Sequence, residues 1–357
     1  MNLEKAPLQV IWEMTQASDG VCEECQSCRR PDRHPDELTT EEGFRLIEEI
    51  RRFAEDANGT PTLVFTGGDP LKRPDLMKLV QYSIDIGLHA VVNCTQSPLL
   101  DADAMEDFYR AGVKRMILRT DTPDAPLAAL FVARDLGLEV ELETALRRDT
   151  IPLLDSIGRI AATVEARMWT IIFPVSVDPD NPASDLRAAE YEEAFEAIWR
   201  VSQGAGFGVR TGNASHYRRF VARKLKEMGR EEHSHLVPIA EQKEAWELAG
   251  LNAGRGLLFI SHLGDIHPSA DLSLLAGNVR TESIVEVYRK SSLFRALRDA
   301  DMKEGKCGDC EYRCICGGSR ARAYAMTGNF LAEDPRCYYH PGPMPNGQRP
   351  VEDVEFA

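Results

Sequence analysis

The 357-residue chain is 43% hydrophobic and carries a formal net charge of −15. That is enough apolar mass for a folded core, and enough negative charge to argue against binding nucleic acid or an anionic membrane surface. Arginine outnumbers lysine among the cations, a balance met in salt-adapted proteins. No run of about eighteen apolar residues occurs. The opening MNLEKAPLQVIWEM lacks the basic, apolar and small-residue zones of a secretory leader, so a cytoplasmic protein without a membrane span is expected.

In chain order, LQVIWEM (8–14) predicts a strand, and Thr39-Thr40-Glu41-Glu42 supplies a capping signature ahead of the helix FRLIEEIRRF. TLVFT (62–66) predicts a buried strand, with Pro74-Asp75-Leu76 opening a helix to about Asp85. The same rhythm continues through HAVVNC (89–94), KRMILRT (114–120), LEVELETA (138–145) and MWTIIFPV (168–175), each followed by an amphipathic stretch. About six βα units imply a parallel sheet or partial β/α barrel, with its chemistry on loops at the carboxyl ends of the strands. From about residue 205 the pattern changes. A basic helix (HYRRFVARKLKEM), a polar loop, a hairpin (256–269) and the helical SIVEVYRKSSLFRALRD lead into a cysteine-rich tail. The expected division is 1–205, 206–298, 299–345, and a polar end at 346–357.

All the cysteines except Cys94 fall in two clusters, which in a reducing compartment points to metal rather than disulfides. In the tail, Cys307, Cys310, Cys316 and Cys337 form a thiolate set suited to a [4Fe–4S] cluster or a structural zinc. Cys314 is a surplus thiol able to stand in for Cys316. The plainest alternative is a group of free buried thiols.

The run Cys307-x2-Cys310-x5-Cys316-Gly-Gly-Ser-Arg-x-Arg-Ala, followed by Glu-Asp-Pro-x-Cys337, closely resembles the SPASM or twitch extension of radical S-adenosylmethionine (radical SAM) proteins. The preceding GNVRTESIVEVYRKSSLFRALRD resembles the usual lead-in to it. The resemblance spans nearly the whole chain. It implies an α/β fold, a partial (βα)6 TIM-type barrel with a C-terminal cysteine-rich extension, and an auxiliary [4Fe–4S] cluster on the tail cysteines.

Radical SAM proteins carry C-x3-C-x2-C after the first strand, where three thiolates leave one iron open to S-adenosylmethionine. Aligned on Trp12-Glu13-Met14-Thr15-Gln16-Ala17, this chain has Ser18 at the first ligand position, Cys22 and Cys25 at the next two, and Glu24 where an aromatic residue or His is usual. Cys28 creates a Cys22-x2-Cys25-x2-Cys28 series, a spacing that holds irons in bacterial ferredoxins. Two outcomes stay open: a shifted second [4Fe–4S] cluster, or a site that has lost its cluster and holds zinc or nothing. Gly67, Gly68, Asp69 and Pro70 match the family's GGDP element, whose carboxylate the resemblance assigns to the ammonium of S-adenosylmethionine; alone, they read as a plain strand-to-helix turn. Arg119 stands at a position where relatives have serine, and the loop after Asp121 is short.

Cys94 reads as a core residue, and His262 and His267 as structural. His216, Tyr217, Arg218 and Arg219 read as the solvated face of a helix. Together these features resemble pseudo-radical-SAM/SPASM proteins of salt-loving archaea, linked to haem or haem d1 biosynthesis or to peptide modification. Cleavage of S-adenosylmethionine is then expected to be altered or absent. The partners implied are a tetrapyrrole, a peptide or an active radical SAM paralogue. The alternatives are an active enzyme using Cys22, Cys25 and Cys28, or a zinc-stabilised binding module.

Overall fold

The computed structural model describes residues 2–19, 30–57, 59–94, 97, 99–123, 127–175, 186–229 and 251–342. Cys22, Glu24, Cys25 and Cys28 lie outside these. The strands β1 (Gln9–Glu13), β2 (Thr62–Thr66), β3 (His89–Cys94), β4 (Arg115–Arg119), β5 (Glu139–Ala145), β6 (Met168–Ile172) and β7 (Gly208–Gly212) run parallel in chain order. On the other side of β1 lies β8 (Leu257–Ile260), also parallel to it, followed by the antiparallel β9 (Asp265–His267) and β10 (Gly277–Asn278). The result is an α/β fold built on a mostly parallel sheet.

Helices connect successive parallel strands and bury apolar side chains against the sheet. Helix α1 (Thr40–Arg52) buries Leu46, Ile47 and Ile50, and its start is a capping box. Thr39 Oγ1 accepts from Glu42 N at 3.2 Å, and Glu42 Oε2 accepts from Thr39 N at 2.8 Å. The helix-covered face of the sheet contributes Val10, Trp12, Leu63, Phe65, Val92, Met116, Leu142 and Trp169 to the main core. Cys94, fully buried, is part of that core. Among the described residues, the opposite face carries a small apolar patch of Val64, Val91 and Ile117. Beside it sit charged cross-strand contacts, Arg115 to Glu141 at 3.3 Å and Arg210 Nε to Thr170 Oγ1 at 2.6 Å. A sheet with one oily face and one partly charged face leaves the second face and its carboxyl edge available for polar chemistry.

Among the described residues eight strands run parallel, two more than the six anticipated: β7 at one end and, beside β1, the first strand of the expected hairpin, β8. Strand β7, GVRTG, has Val209 as its single large apolar residue and a glycine at each end, so it carries little strand signal of its own. Its place comes from pairing with β6, Met168 opposite Gly208 through Ile172 opposite Gly212. The hairpin expected at 256–269 is present as β8 and β9, and β8 adds to the same sheet through β1.

Candidate metal centre

The tail brings its thiols together through tight backbone geometry. Cys307 sits buried on a short helical turn, and Cys316 N donates to Tyr312 O at 2.8 Å, folding the intervening chain back. Gly317 and Gly318 then take φ of 67° and 66°, a left-handed conformation that an L side chain resists. A Cβ on Gly318 would stand 3.1 Å from Cys307 Sγ, so glycine is what lets this strand of chain pass beside the sulfur. Ser319 next caps helix α2 (Arg320–Thr327), its hydroxyl accepting from Arg322 N at 3.2 Å. Cys337 arrives from a distant turn, with its N–H donating to Asp334 O at 3.1 Å.

Cys307, Cys310, Cys316 and Cys337 all line one recess, with about 350 Å³ of empty space including its open mouth. None of them is in a disulfide. Cys314 is exposed, does not line the recess, and offers its carbonyl to Arg255 Nη1 at 2.6 Å. Among the described residues, no three His, Cys, Asp or Glu side chains converge closely enough to hold a single metal ion.

The recess has a cationic wall. Cys307 Sγ accepts from Asp334 N at 3.3 Å and from Arg320 Nη2 at 3.8 Å, and Cys316 Sγ accepts from Gly318 N at 3.4 Å. Lys306 Nζ donates to Cys337 O at 2.8 Å. Burial pushes the thiols of Cys310 and Cys337 up to about 12 and raises those of Cys307 and Cys316 as well. A metal held here would have to supply the charge that draws the protons off. Three guanidinium nitrogens around the recess, Arg219 Nε, Arg313 Nη1 and Arg320 Nε, are buried without a hydrogen-bond partner among the described residues. Stranded cationic donors fit an anionic group in the recess, and a thiolate-ligated iron–sulfur cluster is such a group.

Helix α3 (His216–Glu227) forms one side of this wall. His216, Tyr217 and Arg219 are buried rather than solvated. Arg218 is half-buried, donating to Ile315 O and Leu251 O, both at 2.7 Å. The tail packs over Arg218 and Arg219, through Ile315 and Tyr339, while Tyr217 joins the main core against Phe195 and Phe220. Arg219 pairs with Glu192 and lies over the Tyr339 ring at 5.1 Å. Its neighbour His216 packs tilted against Tyr191 and edge-on against Phe195, 3.7 Å from Asp334. Burial and the surrounding arginines hold its pKa down to about 3. Local sequence gave one signal for these wall residues: arginines and an aspartate interleaved with the cysteines themselves.

The second candidate region lies at the carboxyl edge of β1 and β2. Gly68 N donates to Thr15 O and Asp69 N to Ala17 O, both at 2.8 Å. A Cβ at Gly67 would come within 2.5 Å of Thr15 O, and one at Gly68 within 2.6 Å of Ala17 O. The glycines thus allow close approach to the chain leaving β1. Asp69 is buried; its Oδ1 accepts from Leu71 N at 3.0 Å and its Oδ2 from the Ser97 hydroxyl at 2.5 Å. Pro70 opens the short turn that follows. Ala17 bridges Arg30, and Ser18 N donates to Arg30 O at 2.8 Å. Lys72 Nζ joins the same two stretches, reaching Asp19 Oδ1 at 2.5 Å and Pro31 O at 3.0 Å. His262 Nδ1 lies 3.0 Å from Glu13 Oε2 and His267 Nδ1 lies 3.1 Å from Leu274 O, so both histidines have structural partners. Arg119 pairs with Asp121 at 2.8 Å, and Asp121 also accepts from Ala145 N at 2.8 Å.

An AdoMet-dependent heme synthase of Nitratidesulfovibrio vulgaris is 31% identical over 94% of this chain and 93% of its own length. One from Oleidesulfovibrio alaskensis is 30% identical over 95% of this chain and 89% of its own. The chain belongs to the radical SAM/SPASM family. A PqqA peptide cyclase of Bradyrhizobium diazoefficiens is a more distant relative of this radical SAM protein, 24% identical over 94% of this chain and 87% of its own. The crystal structure of Streptococcus suis SuiB bound to S-adenosylmethionine shares the fold, with a TM-score of 0.69 at 15% identity over 94% of this chain and 78% of that one. No protein-family model matches the chain. Among the described residues, no helix is long and apolar enough to cross a membrane.

Proposed function

We propose that this radical SAM protein acts on a tetrapyrrole, holds an auxiliary [4Fe–4S] cluster on Cys307, Cys310, Cys316 and Cys337, and has an altered or lost capacity to cleave S-adenosylmethionine. The observation that carries the reading is the recess lined by those four thiols and walled by unpartnered guanidinium nitrogens. Four thiols lining one recess are the ligand complement that a [4Fe–4S] cluster takes. When bound, such a cluster supplies one-electron chemistry. Arg320, Gly318 N–H and Asp334 N–H would stabilise its sulfur charge, while Arg219 and Arg313 would offset its net negative charge. Tetrapyrrole is favoured over peptide because the heme synthases match at higher identity than the peptide cyclase.

Altered cleavage is supported by Ser18 at a position the family gives to cysteine, since a serine alkoxide is a hard ligand with a far higher pKa than a thiol. The Asp69 carboxylate, proposed with Gly67, Gly68 and Pro70 to meet S-adenosylmethionine, accepts one bond on each oxygen, from Leu71 N and Ser97, and keeps acceptor capacity for an ammonium. Anaerobic reconstitution followed by iron and sulfide analysis, and assay of 5′-deoxyadenosine under reduction, tests the reading. About four irons and no 5′-deoxyadenosine are expected, while rapid 5′-deoxyadenosine release would overturn it. A second reading places another cluster on Cys22, Cys25 and Cys28. The Ala17–Arg30 bridge favours it, because it ties the ends of the segment containing all three cysteines. It requires about eight irons per chain. A colourless zinc protein without sulfide would instead support the binding-module reading.

A further inference from the structure

Asp334 holds the cysteine set from the inside. Fully buried, it accepts from Ser319 N at 2.8 Å, just beyond Cys316-Gly-Gly, and from Arg336 N at 3.0 Å, just before Cys337. Its own N–H is the one that donates to Cys307 Sγ at 3.3 Å. Three of the four recess cysteines are thus tied to one aspartate.

Arg322 carries that connection away from the recess. Its Nη1 lies 3.0 Å from Asp334 Oδ2, its Nη2 donates to Asn213 O at 2.7 Å, and its guanidinium lies 4.8 Å over the Tyr191 ring. Asn213 directly follows β7, at the carboxyl edge of the sheet. With φ of 55°, it is one of two non-glycine residues in the left-handed region among the described residues. Such a conformation persists where the surroundings over-determine it, and here Arg322 grips the carbonyl while the side-chain amide donates to Asp271 Oδ2 at 2.8 Å. Asp271 acts electrostatically on Glu143, a β5 carboxyl whose pKa burial raises, on the partly charged face of the sheet.

We propose that Arg322 is a positioning residue that transmits occupancy of the four-cysteine recess to the carboxyl edge of the sheet at Asn213 and Asp271. The inference rests on the reading that the recess binds metal. Ligation draws Cys307, Cys316 and Cys337 toward one centre, so Asp334 is held in one position. Arg322, planar and forked, converts that into a fixed Asn213 carbonyl. Asn213, in the left-handed region that asparagine adopts more readily than other side chains, then presents its amide to Asp271, beside the polar face where a substrate of this fold would lie. Coupling of this kind is a free energy linking two sites and must be measured as such.

The test is hydrogen–deuterium exchange of the full chain, with and without reconstitution by iron plus sulfide, and in parallel with Zn²⁺ alone. Loading is expected to slow exchange across 211–217 and 269–273 by about tenfold, within the usual range of coupling between sites. Arg322→Lys keeps a charge against Asp334 but cannot span to Asn213. It is expected to bind the same metal complement yet lose the protection in both segments. Asn213→Gly keeps the carbonyl acceptor and removes the amide, so protection should survive at 211–217 and vanish at 269–273. No change in the wild-type segments on loading, or full protection in Arg322→Lys, overturns the proposal. Should Arg322→Lys fail to fold or load, Asn213→Gly decides, because loss at both segments or at neither contradicts the relay. If zinc loads and iron–sulfide does not, the cluster reading fails while the zinc arm still reads the coupling.

Discussion

Substituting alanine at Gly318 and, separately, at Gly328 isolates what the recess demands of its backbone. Both glycines are left-handed, with φ of 66° and 74°. The conformational cost of alanine is therefore shared, about 1–2 kcal/mol each. Gly328 ends helix α2, and a Cβ there meets nothing within 4 Å. At Gly318 the Cβ would lie 2.7 Å from Arg320 Nη2, 2.9 Å from Asp334 Cβ and 3.1 Å from Cys307 Sγ. Arg320 cannot swing aside cheaply, because its Nη1 also donates to Phe330 O at 2.8 Å and Ala332 O at 2.7 Å. Asp334 is pinned by Ser319 N, Arg336 N and Arg322. Overpacking a site of this kind costs about 1–3 kcal/mol, giving about 2–5 kcal/mol in total for Gly318→Ala against about 1–2 for Gly328→Ala. Urea unfolding of the two metal-free variants measures the difference, and iron and sulfide analysis after reconstitution should show a deficit in Gly318→Ala alone. Equal destabilisation, with equal metal content, would refute the argument that the glycine is there for the sulfur.

Cys316→Ala is expected to remove the visible absorption of the reconstituted tail site, whereas Cys314→Ala, at an exposed thiol outside the recess, should leave iron and sulfide content unchanged. Arg73 is fully buried, donating to Met14 O at 2.9 Å and Leu38 O at 2.7 Å while pairing with Asp75 at 2.7 Å. Arg73→Ala strands these groups and should cost about 3–5 kcal/mol by denaturant titration. His216, with its pKa lowered from 6.5 to about 3 by burial, is neutral in the folded chain and protonates more readily in the unfolded one. Its contribution is whole above pH 6.5 and falls as pH drops through that value toward 3, at up to about 1.4 kcal/mol per pH unit. His216→Phe should flatten stability between pH 6.5 and 4.5, above the range where Asp334, lowered from 3.8 to about 2, takes up its proton.

Much of the sheet was legible because its strands are short β-branched runs of their own. HAVVNC reads as a strand over 89–94 and is one over those same residues, and the Thr39–Glu42 capping box is a purely local hydrogen-bond pattern. Strand β7 was not legible, since GVRTG acquires its state from the neighbouring β6. The basic helix misled for a related reason. Its amphipathic pattern predicts a wet face, but whether water reaches His216 and Arg219 depends on the tail arriving from a hundred residues later.

By itself, the sequence determined the alternating βα order, the family and the cysteines that share a motif. Each of these is carried by local pattern or by residue identity at fixed spacing. Tertiary structure alone decided that Cys316 lines the recess while Cys314 faces out, and that Arg313, Arg320 and Arg219 wall it. It also decided that Asp334 and Arg322 join the recess to Asn213. Those assignments depend on which distant segments meet and which side chains lose their water in doing so, and spacing along the chain encodes neither.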